Sequence, residues 1–184
     1  MAGIANRDGP SYLPASIPLR QVVQISSDLA ASHCLCPMFT PANRFTAVNE
    51  AREHGLSFSH ALVDPTAIVA SDVSFGGGTY VNAGVILGAA TTMGDHVLVN
   101  RGASIGHHGS VGEFASIGPG AIIAGQVTIG RGAMIGAGAV VGPGVSIGAH
   151  AVVGAGAVVL ADAPDFRRMF GTPARIVGEP LEGF

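Results

Sequence analysis

The sequence predicts an all-β chain, a parallel β-helix of six-residue repeats with a small N-terminal α/β segment and a C-terminal tail. Three observations predict it. From Val63 onward every sixth residue is large and apolar: Val63, Val69, Phe75, Val81, Leu87, Met93, Val99, Ile105, Val111, Ile117, Ile123, Ile129, Ile135, Val141, Ile147, Val153 and Val159. The residue after each is mostly Gly, Ala, Asn or Asp, and the fifth hexad position is small or β-branched, as at Ala115, Ala121, Val127 and Ala133. Finally, 48% of residues are hydrophobic and only 11% charged, which disfavours a disordered chain. A period of six fits neither the 3.6 of a helix nor the 2 of a flat strand. It fits a short strand and a tight turn, three such units closing a triangular coil with the large residue inward and glycine easing the turn. Coils stacked about 4.8 Å apart satisfy the backbone and bury a continuous Val/Ile column.

Residues 1–62 precede the repeat and differ from it. The first eighteen are punctuated by proline and predict an extended or poorly ordered start. "QVVQIS" (21–26) predicts a strand, and "RFTAVNEAREHGL" (44–56), after Pro41 and Asn43, predicts a helix. The β-helix is expected over 63–161 and the tail over 162–184.

Charge and cysteine content exclude several function classes. Nine basic residues face twelve acidic ones with no basic run, so no nucleic-acid footprint is expected. Between Gly132 and Ala161 no charged residue occurs, as in a membrane span. Recurrent glycine, Pro143 and a non-helical apolar period argue against one. The start lacks the apolar core of a signal peptide. Cys34 and Cys36, the only cysteines, predict two reduced thiols in a cytoplasmic protein, and a C-x-C pair alone is too little for structural zinc.

If three hexads make a coil, residues eighteen apart stack. Asp95, Glu113 and Arg131 then share a column, a surface charge ladder. His96 and His150 share another with Phe114 and Gly132, and are expected as surface polar residues. The adjacent pair in "IGHHGSVGEF" (105–114) is different. His107 has Ala89 below it and Gly125 and Pro143 above, while His108 lies under Gln126. Gly125 has no side chain to block its amide. A base with a backbone N–H roughly 5 Å away is the minimum set for acyl transfer: the base deprotonates a nucleophile and the amide receives the oxyanion.

"VNRGASIGHHGSVGEFASIGPGAIIAGQVTIG" (99–130) resembles the sialic acid O-acetyltransferase (NeuD) and bacillosamine-type sugar N-acetyltransferase (PglD) family of hexapeptide-repeat acyltransferases. Its members read N-x-x-x-x-I-x-H-[DE]-x-x-I-G-[DE]-F and then P-G-A-x-x-A-G. Asn100, Ile105, His107, Gly112, Glu113, Phe114, Pro119, Gly120, Ala121, Ala124 and Gly125 match. Residues 41–69 resemble that family's junction into its β-helix, and "FGTPARIV" (170–177) resembles its terminal G-x-P-A-[RK] segment, which packs beside coenzyme A.

The resemblance implies a left-handed β-helix, a homotrimer with sites between subunits, and no metal. It implies transfer from acetyl-CoA, or a related acyl-CoA, to an amino or hydroxyl group of a small-molecule acceptor, foremost a (nucleotide-)sugar. His107 would be the general base and Gly125 N–H the contact to the thioester carbonyl, with Asn100 lining the acceptor site. Coenzyme positions fall on Ser116, Gly125, Ala137 and Ala155, and Arg175 is added for the phosphates, followed by Arg167 and Arg168. Attack is direct, since neither cysteine is near the repeat.

Two departures stand out. The family follows its catalytic histidine with Asp or Glu, whereas this chain has His108. Glu113 or a backbone carbonyl is then expected to orient the imidazole, leaving His108 to touch substrate or face solvent. The family also begins with a complete nucleotide-binding domain bearing a glycine-rich loop, of which 62 residues hold at most a remnant. Two alternatives remain. A non-catalytic trimeric scaffold or binding protein predicts no coenzyme binding. A metal-dependent hydratase of the carbonic anhydrase type predicts bound zinc, although His96, His107, His108 and His150 do not reproduce its histidine spacing.

Overall fold

The computed structural model describes residues 3–5, 19–21 and 34–183. Strands β1 (Gly3–Ala5) and β2 (Leu19–Gln21) pair in parallel. The expected strand over 21–26 therefore overlaps β2 only at Gln21, and its remainder lies outside the described residues, as does most of the proline-punctuated start.

Helix α1 (Pro41–Glu53) begins and ends three residues before the expected span. Pro41 opens it, where a missing N–H costs nothing because the first helical amides have no intrahelical acceptor. Gly55, at φ +78°, closes it. The Leu56 N–H then returns to the Ala51 carbonyl at 3.0 Å, so orphan carbonyls of the last turn are satisfied locally.

The repeat folds as its period dictates. Seventeen two-residue strands, β3 to β19, run from Leu62–Val63 to Val158–Val159 at six-residue intervals. The second residue of each is the apolar position of the hexad. Strands pair in parallel eighteen residues apart, as Ser104↔Ile122 and Ile105↔Ile123 do. They build three sheets that form the sides of a left-handed triangular coil. Ile105, Ile117, Ile129 and Ile135 are fully enclosed. Val63, Val69 and Phe75 are only half-buried, because no coil stacks beneath them. The eighteen-residue spacing shortens to sixteen at Ile147↔Ala163 and Val152↔Arg168. There β20 (Arg168–Gly171) turns back into β21 (Ala174–Val177) as an antiparallel hairpin.

The outward residues give each side its own character. The sheet containing β10 (Ser104–Ile105) and β13 (Ile122–Ile123) presents Ile68, Ile86, Ser104, Ile122, Val140 and Val158. Ile68, Ile86 and Ile122 are 67%, 46% and 53% exposed. The second side presents only hydroxyls, Ser74, Thr92, Ser110, Thr128 and Ser146, all exposed. On the third, Arg44 of α1 and Phe39 before it cover Ser116, and Leu98 is buried as well.

Arg44 fastens that cover. It is 1% exposed, and its Nη2 donates to the carbonyls of Phe114 (2.5 Å) and Ala115 (3.0 Å) and to Ser116 Oγ (2.9 Å), while Nη1 donates to the Met38 carbonyl. Phe45 meets Phe114 edge-on at 5.3 Å. Burial draws the Arg44 pKa down to about 10, with Cys36 opposing, and the guanidinium stays charged at neutral pH. No helix among the described residues is long and apolar enough to cross a membrane.

Candidate active site

His107 follows β10 at the corner between the isoleucine side and the hydroxyl side. Its backbone is held by the coil above, since its carbonyl accepts from Gln126 N–H at 2.8 Å. His108 is held by the coil below, donating its N–H to the Ala89 carbonyl at 2.8 Å with φ at +55°. Such a left-handed turn position is strained for a residue with a Cβ, and each coil's turn repeats it, at Ala90, His96, Phe114, Gln126 and His150 among others.

The His107 ring lies against Gly125. A Cβ at Gly125 would fall 2.7 Å from His107 Nε2 and 2.8 Å from Cε1, so only glycine leaves room for the imidazole here. The Gly125 amide is also open. At two other copies of this hexad position the outward N–H is capped by a carboxylate from above, Asp95 Oδ1 accepting from Gly77 N–H at 2.8 Å and Asp165 Oδ1 from Ala149 N–H at 2.7 Å. Above Gly125 stands Pro143, which has no acceptor side chain. Gly125 N–H accordingly has no acceptor among the described residues. An imidazole nitrogen and an unsatisfied amide thus converge on one exposed corner, the arrangement that base-assisted attack on a carbonyl requires.

The other expected residues are spread more widely. Glu113 forms an ion pair with Arg131 at 2.9 Å, both side chains about two-fifths exposed, and Arg131 also lies over the rings of Phe45 and Phe114. The structure does not bring Glu113 to His107; the partner of His107 Nδ1 is His108 Nδ1, 3.1 Å away. Asn100 sits at the opposite edge of the isoleucine side. Its Oδ1 accepts from Arg101 N–H at 2.8 Å and from Asn82 Nδ2 at 3.3 Å.

The coenzyme positions divide. Ser116 is fully buried, donating to the Phe39 carbonyl at 2.5 Å and accepting from Arg44, so it offers no surface to a coenzyme. The covering segment, invisible to the hexad pattern, is the reason. Ala137 and Ala155 are exposed and stack in one column. Beside them a Cβ at Gly120, Gly138 or Gly156 would meet nothing within 4 Å, which leaves an open, small-residue track. Arg175 is exposed on β21, while Arg167 and Arg168 are half-buried and Arg168 Nη1 donates to the Glu179 carbonyl at 3.3 Å.

His96 corrects a second expectation. It is 2% exposed rather than on the surface, stacked on Phe114 at 4.8 Å and edge-on to Phe58 at 4.9 Å. Arg52 Nη2 lies 3.1 Å from its Nε2. Burial above all, then the Arg52 charge, lowers its pKa to about 4, against the pull of Asp95. His150 is half-buried and stacks on Phe166 at 5.1 Å. No group of three or more His, Cys, Asp or Glu side chains suited to a metal ion occurs among the described residues.

Comparison with known proteins follows the same lines. The family model described as bacterial transferase hexapeptide (six repeats) matches residues 108–143 and 126–161. No curated protein matches the sequence. Among solved structures, PerB from Caulobacter crescentus in complex with CoA and GDP-perosamine is 34% identical, with a match covering 89% of this chain and 80% of that one at a TM-score of 0.83. A variant of GDP-perosamine N-acetyltransferase from that organism, also with CoA and GDP-perosamine, matches at 33% identity over 92% and 82% of the two chains, with a TM-score of 0.84. The acetyltransferase domain of PglB from Neisseria gonorrhoeae, in complex with acetyl coenzyme A, is 26% identical over 95% and 84%, with a TM-score of 0.85.

Proposed function

Because the chain belongs to the NeuD/PglD-like hexapeptide-repeat acyltransferases, we propose that it transfers an acyl group, acetyl in the simplest case, from coenzyme A to an amino group of a nucleotide-linked sugar. The observation that carries this reading is His107 Nε2 lying against Gly125, whose amide has no acceptor.

Attack is direct. The acceptor nitrogen adds its lone pair to the thioester carbonyl carbon, and the carbonyl electrons move onto oxygen, which Gly125 N–H receives. His107 Nε2 takes the proton released from the nitrogen. The oxyanion collapses, the C–S bond breaks, and that proton passes to the departing thiolate, giving an amide and free coenzyme A. An amine suits this base better than a hydroxyl. Its proton becomes acidic once nitrogen has added to the carbonyl, so the base needs no adjacent carboxylate to support its positive charge.

The pantetheine arm would run along the track by Ala137 and Ala155, with Arg175 on the phosphates. The acceptor site would be shared between copies in a homotrimer. Asn100 and His107 occupy opposite edges of one side in a single chain, so a second copy across the isoleucine side is what brings an Asn100 toward a His107. A coenzyme A donor supports the reading of a cytoplasmic reaction.

Calorimetric titration with acetyl-CoA tests the reading, alongside thiol release with nucleotide-linked amino sugars. About one coenzyme should bind per chain. His107→Ala should retain that binding and lose turnover by roughly 10²–10⁴-fold, the range a positioned base supplies. Absence of coenzyme binding by the folded protein would overturn the reading in favour of a scaffold. Undiminished turnover in His107→Ala would remove His107 from the chemistry.

A further inference from the structure

We propose that His108 is the positioning residue of the site, an uncharged orienter that fixes the tautomer of His107. This deepens the acyltransferase reading and rests on it. The two Nδ1 atoms are 3.1 Å apart, with ring planes at 86° and centroids 5.2 Å apart. At that separation the nitrogens share one hydrogen: one imidazole donates it and the other accepts with a lone pair.

Which way the bond runs follows from the other face of His107. Its Nε2 is the atom packed against Gly125 and must carry a lone pair to act as a base. The hydrogen of neutral His107 therefore sits on Nδ1 and is donated to Nδ1 of His108, whose own hydrogen is on Nε2. An isolated imidazole prefers the opposite tautomer, with its hydrogen on Nε2, so the site needs a fixed acceptor beside His107 Nδ1.

His108 is suited to that task because its own placement is rigid. Its backbone is tied to Ala89 below at a positive φ, and the His107 backbone to Gln126 above, so both rings stand on a tight turn held by the coils on either side. No carboxylate competes for the role among the described residues: Glu113 is engaged by Arg131. The pairing also survives the reaction. When His107 Nε2 takes the acceptor's proton, Nδ1–H keeps donating to His108, and the orientation holds until the proton moves on to the thiolate.

Two variants of the full-length protein separate the proposal from a merely structural role. In His108→Asn the side-chain oxygen stands close to the place of Nδ1 and accepts the same hydrogen; in His108→Leu nothing accepts it. Both substitutions are at an exposed side chain. Long-range ¹⁵N–¹H correlation spectra of the histidine rings should show His107 with its hydrogen on Nδ1 in the wild-type protein and in His108→Asn, and on Nε2 in His108→Leu. With acetyl-CoA and an amino-sugar acceptor, kcat should fall about 10²-fold in His108→Leu, the lower end of what a positioned base contributes. The KM for acetyl-CoA should stay near its wild-type value, and His108→Asn should recover most of the loss. A wild-type His107 with its hydrogen on Nε2, or a His108→Leu protein with unchanged tautomer and kcat, overturns the proposal. The spectra need no substrate. A pairing seen in a protein that transfers no acyl group would count against the acyltransferase reading alone.

Discussion

Glycine 125 shows how a single missing side chain serves two ends, leaving an amide open and a ring in place. The Cβ of Gly125→Ala would fall 2.7 Å from His107 Nε2, too close for both to stay. What must yield is the end of an exposed side chain, so the fold should hold while the base moves. The expected outcome is an unchanged melting temperature, retained coenzyme binding and a kcat lower by about 10²-fold, the usual effect of displacing a catalytic group by an ångström. Stopped-flow or thiol-release kinetics beside a thermal melt checks it. His96 makes the opposite point, that a histidine can be structural. It takes up a proton near pH 6.5 when unfolded but only at about pH 4 when folded. The unfolded state therefore binds more protons between those values. The contribution of neutral His96 is complete above pH 6.5 and is lost as the pH falls toward 4. His96→Phe should flatten that acid limb of the stability curve, measured by urea unfolding at pH 7, 5.5 and 4. Phenylalanine already occupies the equivalent positive-φ positions at Phe114 and Phe166, so the replacement fits the backbone. An acid limb as steep as in the wild type would show that other groups set it.

At the scale of elements, legibility depended on whether the partners of a residue lay within the repeat. The seventeen inward positions could be read directly, because a hexad names its own neighbours eighteen residues away, as Ile105 and Ile123 show. Gly125 above His107 was legible for the same reason. The cover over the third side was not. Arg44 looks like one more polar position on a helix, and only the fold brings the Phe114 and Ala115 carbonyls, some seventy residues on, to its guanidinium. The same cover explains Ser116, which resemblance placed beside a coenzyme and packing placed beneath Phe39, and His96, whose period gave its column but not the Phe58 and Arg52 that close over it. The tie made by Arg44 can be tested as a unit. Arg44→Met keeps the apolar stem and removes every donor, leaving the Phe114, Ala115 and Met38 carbonyls and the Ser116 hydroxyl with fewer partners in a buried interface. A loss of about 2–4 kcal/mol is expected, the sum of several buried charge-assisted bonds less the relief of desolvating a cation. Chemical denaturation measures it. A change below about 0.5 kcal/mol would mean that the helix is held by Phe45 on Phe114 and not by the guanidinium.

For the molecule as a whole, the three sides differ in what they ask of their surroundings. One is covered in part by the chain itself, one is lined with hydroxyls that water can satisfy, and one offers Ile68, Ile86 and Ile122 largely uncovered. A largely apolar side of this kind, broken only by Ser104, is unusual on a monomer, and it lies between the Asn100 edge and the His107 corner. Assembly and chemistry are therefore expected to fail together when this side is made polar. Strand pairing inside each chain does not depend on it, because the backbone bonds of β10 and β13 run to coils above and below and the inward column is untouched. Ile122→Asp should give a folded monomer with a wild-type far-ultraviolet spectrum. Sedimentation velocity should show the unmodified protein as the proposed trimer and Ile122→Asp as single chains, and acyl transfer should fall with the trimer fraction as protein is diluted. The Ile122→Asp monomer should also serve as the control for His107. Its ring tautomer should persist, since His108 and Gly125 belong to the same chain, while turnover is lost for want of a second copy. A wild-type protein that sediments as a monomer yet transfers acyl groups at full rate would mean that one chain holds the whole site. The isoleucine side would then require another explanation.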